Sequence, residues 1–128
     1  IYRMGTTGDE HRLYHLRRCC EDVLDDFGAQ PTLNGYRYAE RMLLYALYAD
    51  RPQKIGDLQQ YVASEENIEI GTVISALNRM SAGMSKRGAA PYRGLCLRCG
   101  RPENGVLSNG QMFEGLLKEL RRRLEPTI

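Results

Sequence analysis

No apolar run in this chain approaches the roughly 20 residues that a membrane-spanning helix requires, and no basic, then apolar, leader opens it. A cytoplasmic protein with no membrane partner is therefore expected. Histidine is scarce: the only two, His11 and His15, lie one helical turn apart among arginines. No Ser/His/Asp, Cys/His or paired-carboxylate arrangement can be assembled around them, so the sequence reads as a non-enzyme. The GTTG string near the start has neither the lysine nor the strand-loop-helix context of a phosphate loop. Also missing are β-type alternation, an internal repeat and a strong charge bias. A net charge of +2 falls short of the usual basic footprint of a nucleic-acid binder, so any such role rests on how the cations are grouped.

What is present is ordinary globular material: 128 residues, 42% hydrophobic and 27% charged, enough for one domain with a core of its own. The chain begins at Ile1 rather than methionine, which suggests a fragment whose partner domain is missing. Residues 1–8 carry two glycines and two threonines and read as a flexible lead-in. From Asp9 the pattern turns helical, with Leu13, Leu16, Cys20, Val23, Leu24 and Phe27 on one face and Gly28 as a stop. The second helix, Gly35 to Ala49 with Asn34 as N-cap, is apolar around almost its whole circumference, which marks it as central. A short third helix, about Ile55 to Ala63, leads into a longer one over 69–88.

That longer helix has two distinct stripes. Ile70, Val73, Ile74, Leu77, Met80 and Met84 recur at helical spacing and face a core. Thr72, Ser75, Asn78, Arg79 and Lys86 line the other side. Short hydrogen-bonding side chains followed by cations suit a DNA groove, and they suit a wet surface equally well. A short helix, a turn and a longer helix together form the pattern of a helix-turn-helix over about 55–88. Residues 88–107, rich in Gly, Pro and Arg, read as a loop. Ser108 with Gln111 three residues later makes a capping box for a last helix, 108–125, whose Met112, Phe113, Leu116, Leu117, Leu120 and Leu124 dock on the core. The fold expected is an all-α bundle of about five helices in a single domain, 9–128.

Four cysteines leave a second question open. Cys96 and Cys99 form a C-x-x-C in the expected loop, and His11, His15 and Cys19 follow at i, i+4 spacings on the first helix. Cys96, Cys99, Cys19 and His15 are candidate zinc ligands, and no second C-x-x-C completes the set. The alternatives are reduced thiols, with Cys20 as a small core residue, or a redox-active loop pair.

Four strings carry a family resemblance: FGAQPTLNGYRYAERML (27–43), Asp57-Leu58 at the start of the shorter helix, SKRG (85–88) and SNGQMFEGLLKELRRRLE (108–125). In this order they resemble the DNA-binding effector domain of the sporulation initiation response regulator, the stage 0 sporulation protein A family. The resemblance implies a helical domain that follows a receiver or sensory domain in a two-component system. It implies double-stranded promoter DNA as the partner, bound through a helix-turn-helix by a homodimer on tandem sites. Carried over, Thr72, Ser75, Asn78 and Arg79 are the groove-facing positions, and Lys86 and Arg87 contact phosphates. Two departures stand out. Thr72, Ile74 and Ser75 occupy places where the family carries arginines suited to guanine. The turn also reads as several residues longer, with Glu65, Glu66 and Glu69 in or beside it and no neighbouring base to offset them. A protein-interaction or signalling module on the same scaffold is the alternative function.

Overall fold

The computed structural model describes the backbone of residues 2–49 and 51–125, and side chains from Glu10 onward within them. The described residues form six helices and no strand: α1 (Tyr2–Asp26), α2 (Asn34–Tyr48), α3 (Ile55–Glu66), α4 (Ile70–Arg87), α5 (Ala90–Arg98) and α6 (Asn109–Leu124). The all-α expectation holds. α2 is central, packed against α1, α3, α4 and α6. Its Tyr36, Tyr38, Ala39, Met42, Leu43, Leu44 and Ala46 are buried, which is why its sequence is apolar nearly all round. α1 and α6 also pack on each other, and their Cys20, Val23, Leu24, Phe27, Leu116 and Leu120 share the core.

One glycine sets a helix crossing. A Cβ on Gly35 would come 2.5 Å from the Ala76 carbonyl oxygen, so only glycine lets the first turn of α2 rest on the middle of α4. α4 ends where Gly88 adopts the left-handed conformation (φ 62°), and α3 ends the same way at Asn67 (φ 55°). α6 opens as its sequence indicates: Ser108 Oγ accepts from the Gln111 N–H and Gln111 Oε1 from the Ser108 N–H, each at 3.2 Å.

Two whole segments differ from the sequence reading. Residues 2–8 belong to α1 rather than to a lead-in: the helix continues through Gly5 and Gly8, each of which costs about 1 kcal/mol relative to alanine without breaking it. Residues 88–107 are not all loop, because α5 occupies 90–98. Pro91 lies in its first turn, where a missing N–H costs nothing, and Tyr92, Leu95 and Cys96 bury one face at i, i+3, i+4 spacing. A closed polar network fixes α5 and the segment after it. Tyr92 Oη donates to Ser81 Oγ (2.8 Å) and accepts from the Leu107 N–H (2.9 Å), while Ser81 Oγ donates to the Leu107 carbonyl (3.0 Å). All three residues are buried, and every polar group in the triangle has a partner. Nearby, Ser85 Oγ donates to the Gly105 carbonyl at 2.8 Å.

Candidate nucleic-acid interface

The turn between α3 and α4 is short. Helix α3 runs through Glu66 and α4 starts at Ile70, leaving Asn67, Ile68 and Glu69 as the connection. The left-handed Asn67 reverses the chain, with the Asn67 N–H on the Ser64 carbonyl (3.3 Å) and the Ile68 N–H on the Ala63 carbonyl (3.0 Å). The expected long acidic turn is thus corrected, because Glu65 and Glu66 complete the last turn of α3. Their charge is also partly answered from another element. Glu66 accepts from Arg37 at 2.8 Å and lies 3.3 Å from Arg41, both on α2, a partnership across 29 residues that local sequence could not reveal. Glu69 remains exposed at the N-cap of α4, where the helix dipole favours a carboxylate.

α4 separates its faces as its two stripes indicate. Val73, Leu77, Met80 and Met84 are buried, with Ala76 and Ser81 beside them, and Ile74 is half-buried. Thr72, Ser75, Asn78, Arg79, Lys86 and Arg87 are all exposed. Arg79 borders a notch of about 200 Å³ that it shares with Ala76 and with Thr32, Leu33, Asn34 and Gly35 at the start of α2. No side chain caps that helix start; Asn34, expected as the cap, is its first helical residue and Leu33 holds the cap position. The partial positive charge of the α2 N-terminus therefore adds to Arg79 on one side of the notch.

Arg87 differs from the other five. Its Nη1 donates to the Gly28 carbonyl at 3.4 Å, tying the end of α4 to the corner between α1 and α2. Arg93, on α5, was not among the expected phosphate contacts, yet it lies beside the end of α4: its Cδ is 3.9 Å from where a Gly88 Cβ would be. Its position at i+1 from the buried Tyr92 was the available signal. Among the described residues, no carboxylate lies within salt-bridge distance of Arg79, Lys86, Arg87 or Arg93. A larger depression of about 950 Å³ runs along α6, but it mixes Lys118, Arg121 and Arg122 with Glu114, Glu119 and Glu125 and offers no single sign of charge.

The four candidate zinc ligands do not converge. Among the described residues there is no group of three or more His, Cys, Asp or Glu side chains placed to hold a metal. Cys96 is buried in α5 with its Sγ donating to the Gly105 carbonyl (3.5 Å), and Cys99 is the C-cap of that helix. Cys19 and His15 sit together on α1, with Cys19 Sγ 3.7 Å from His15 Nε2. The C-x-x-C also lacks the setting of an activated thiol. It lies at a helix C-terminus, whose dipole disfavours a thiolate, and burial pushes the Cys96 thiol up, followed by the effect of Cys99. Cys20, a core residue as its position suggests, is pushed up to about 12, chiefly by burial and then by Glu40. No helix among the described residues is long and apolar enough to cross a membrane. Comparisons with known protein families, with curated proteins and with solved structures find no match to this chain.

Proposed function

We propose that this chain is a DNA-binding domain of a cytoplasmic transcriptional regulator that reads the major groove with α4. The observation that carries the reading is the outer face of α4, presented behind a three-residue turn with its polar and cationic side chains exposed. Thr72, Ser75 and Asn78 have the reach for single hydrogen bonds to base edges, and Arg79 for a bidentate contact with guanine or a phosphate. Lys86, Arg87 and Arg93 flank them as phosphate contacts. The pairing of Glu66 with Arg37 and Arg41 supports the same reading, since it lowers the repulsion that the acidic turn would exert on a backbone. The resemblance to sporulation regulators adds a receiver or sensory domain and a homodimer on tandem sites as further parts of the proposal. No catalytic role is assigned.

Four contacts from Arg79, Lys86, Arg87 and Arg93 imply a salt slope of about −3.6, or a roughly 100-fold loss of affinity between 50 and 200 mM salt. Fluorescence anisotropy tests the proposal with a labelled duplex carrying a sporulation-type promoter site and a scrambled duplex, each at low and near-physiological salt. A preference for the site of at least ~10-fold that survives the higher salt is expected. Equal, weak binding to both that vanishes with salt would sink it. That result would favour the second reading, a protein-interaction module, for which the exposed Tyr14 (66%) and Tyr48 (57%) are the supporting observation.

A further inference from the structure

His15 and Cys19 occupy adjacent turns on the exposed side of α1, and their Nε2 and Sγ atoms stand 3.7 Å apart. In tetrahedral zinc, with Zn–N of about 2.0 Å and Zn–S of about 2.3 Å, two such ligands are separated by about 3.5 Å. The pair therefore already has the spacing of one edge of a zinc tetrahedron. The weak hydrogen bond between the two atoms keeps them turned toward each other. One edge does not make a closed site, and no third ligand of this chain joins it among the described residues.

We propose that His15 and Cys19 form a zinc half-site, completed by the same two residues of a second copy of this chain. A twofold axis supplies two nitrogens and two sulfurs, the composition of a closed structural zinc site. Two thiols each release a proton on binding, and the two thiolates balance the charge of Zn²⁺. The sequence around the pair is self-complementary in an antiparallel arrangement of the two α1 helices. Pairing His15 with Cys19 of the second copy also sets Arg12 opposite its Asp22, because the two pairs share one midpoint at residue 17. Asp22 follows Cys19 by one helical turn on the same side of α1, so it stands beside the half-site. Arg123, the cation that acts on Cys19 from α6, is itself held by Glu119 and Asp26. This proposal stands apart from DNA reading, since α1 carries none of the α4 face.

The test is titration of the reduced full chain with Zn²⁺, followed by sedimentation velocity and by metal analysis after gel filtration. A zinc-dependent dimer with one zinc per two chains is expected, reversed by a chelator. Co²⁺ in place of zinc should give a thiolate charge-transfer band that disappears in Cys19→Ser. Cys19→Ser and His15→Gln should each weaken zinc binding at least ~100-fold, because even changes outside the ligand shell commonly cost roughly 10- to 100-fold. The double variant Cys96→Ser/Cys99→Ser should bind as the parent does. His15 is exposed and Cys19 half-buried at the edge of the core, so circular dichroism should show both ligand variants folded, and it also checks the loop-pair variant, whose Cys96 is buried. No zinc binding, one zinc per monomeric chain, or binding lost with Cys96 and Cys99 instead would each overturn the proposal.

Discussion

Two helices of this protein end in clusters of cations, and the clusters are not alike. At the end of α6, Glu119 accepts from Arg122 and from Arg123 (2.8 Å), and Arg123 reaches on to Asp26 of α1 (2.7 Å). Arg121 donates to the Ala46 carbonyl at 3.4 Å. At the end of α4, Lys86 and Arg87, with Arg93 of α5 beside them, have no carboxylate within salt-bridge distance among the described residues, and neither does Arg79 two turns earlier. The sequence makes α6 look the more basic of the two, with three consecutive arginines. Partnership reverses the order. Guanidinium groups already bonded to carboxylates have little to gain from a phosphate, whereas cations without a carboxylate partner exchange chiefly water and counterions for it.

The largest effect that follows is on DNA affinity. Arg79→Ala with Lys86→Ala should weaken binding to a preferred duplex by about 2–4 kcal/mol, and losing two cations should flatten the salt slope by about 2. Arg122→Ala with Arg123→Ala removes the same formal charge from the carboxylate-bonded cluster and should change affinity by less than about 0.5 kcal/mol. Anisotropy titrations of both double variants against one duplex make the measurement. Equal losses from the two pairs would mean that affinity follows net charge alone, and the distinction between the clusters would fall.

A second expected effect concerns what fixes α5 against the free cluster. Tyr92→Phe leaves the Leu107 N–H buried without an acceptor and removes a donor to Ser81, which should cost about 2 kcal/mol in urea unfolding. Below the unfolding transition the variant should keep its preference among duplexes, because Arg79 and Lys86 are on the exposed face of α4, whereas Ser81 joins the network from its buried face. Loss of preference without loss of stability would show that α5 positions the reading face itself.

These comparisons also mark where the sequence was legible. The two faces of α4, the central place of α2 and the capping box at Ser108 follow from periodicity and from neighbours three or four residues apart, which a sequence displays directly. α5 was hidden because Pro91, Gly94 and the glycine at 100 carry the composition of a loop, while only three residues, Tyr92, Leu95 and Cys96, reveal the buried face. The turn looked long because α3 was expected to end at Ala63. Its last residue, Glu66, is held by arginines of α2, and such a partnership lies beyond any local window. The zinc candidates show the same limit in reverse. The i, i+4 pair His15 and Cys19 came together, as spacing on one helix allows, and Cys96 and Cys99 did not join them, because only the packing of α5 determines where that pair lies.

The smallest effect comes from breaking the occupied cluster. Hydrogen bonds from Arg122, and then from Arg123, hold the Glu119 carboxyl well below its ordinary range, at about 2. A carboxylate whose pKa is depressed on folding stabilises the native state at neutral pH, and the contribution fades as pH falls from about 4.5 toward 2. Glu119→Gln should therefore lower stability at pH 7 by about 1 kcal/mol, the scale of surface pairs whose arginines stay largely in water. The gap between parent and variant should close across that acid window, as read by urea unfolding at a series of pH values. The same substitution releases Arg122 and leaves Arg123 only Asp26. If partnership is what withholds the α6 cations, nonspecific duplex binding at low salt should tighten by about 2- to 5-fold, beyond the effect of Glu114→Gln, which removes the same charge from the same helix without freeing an arginine. Tighter binding with unchanged site preference would convert the occupied cluster into a second free one, and would place the difference between the two helix ends in their carboxylate partners rather than in their location.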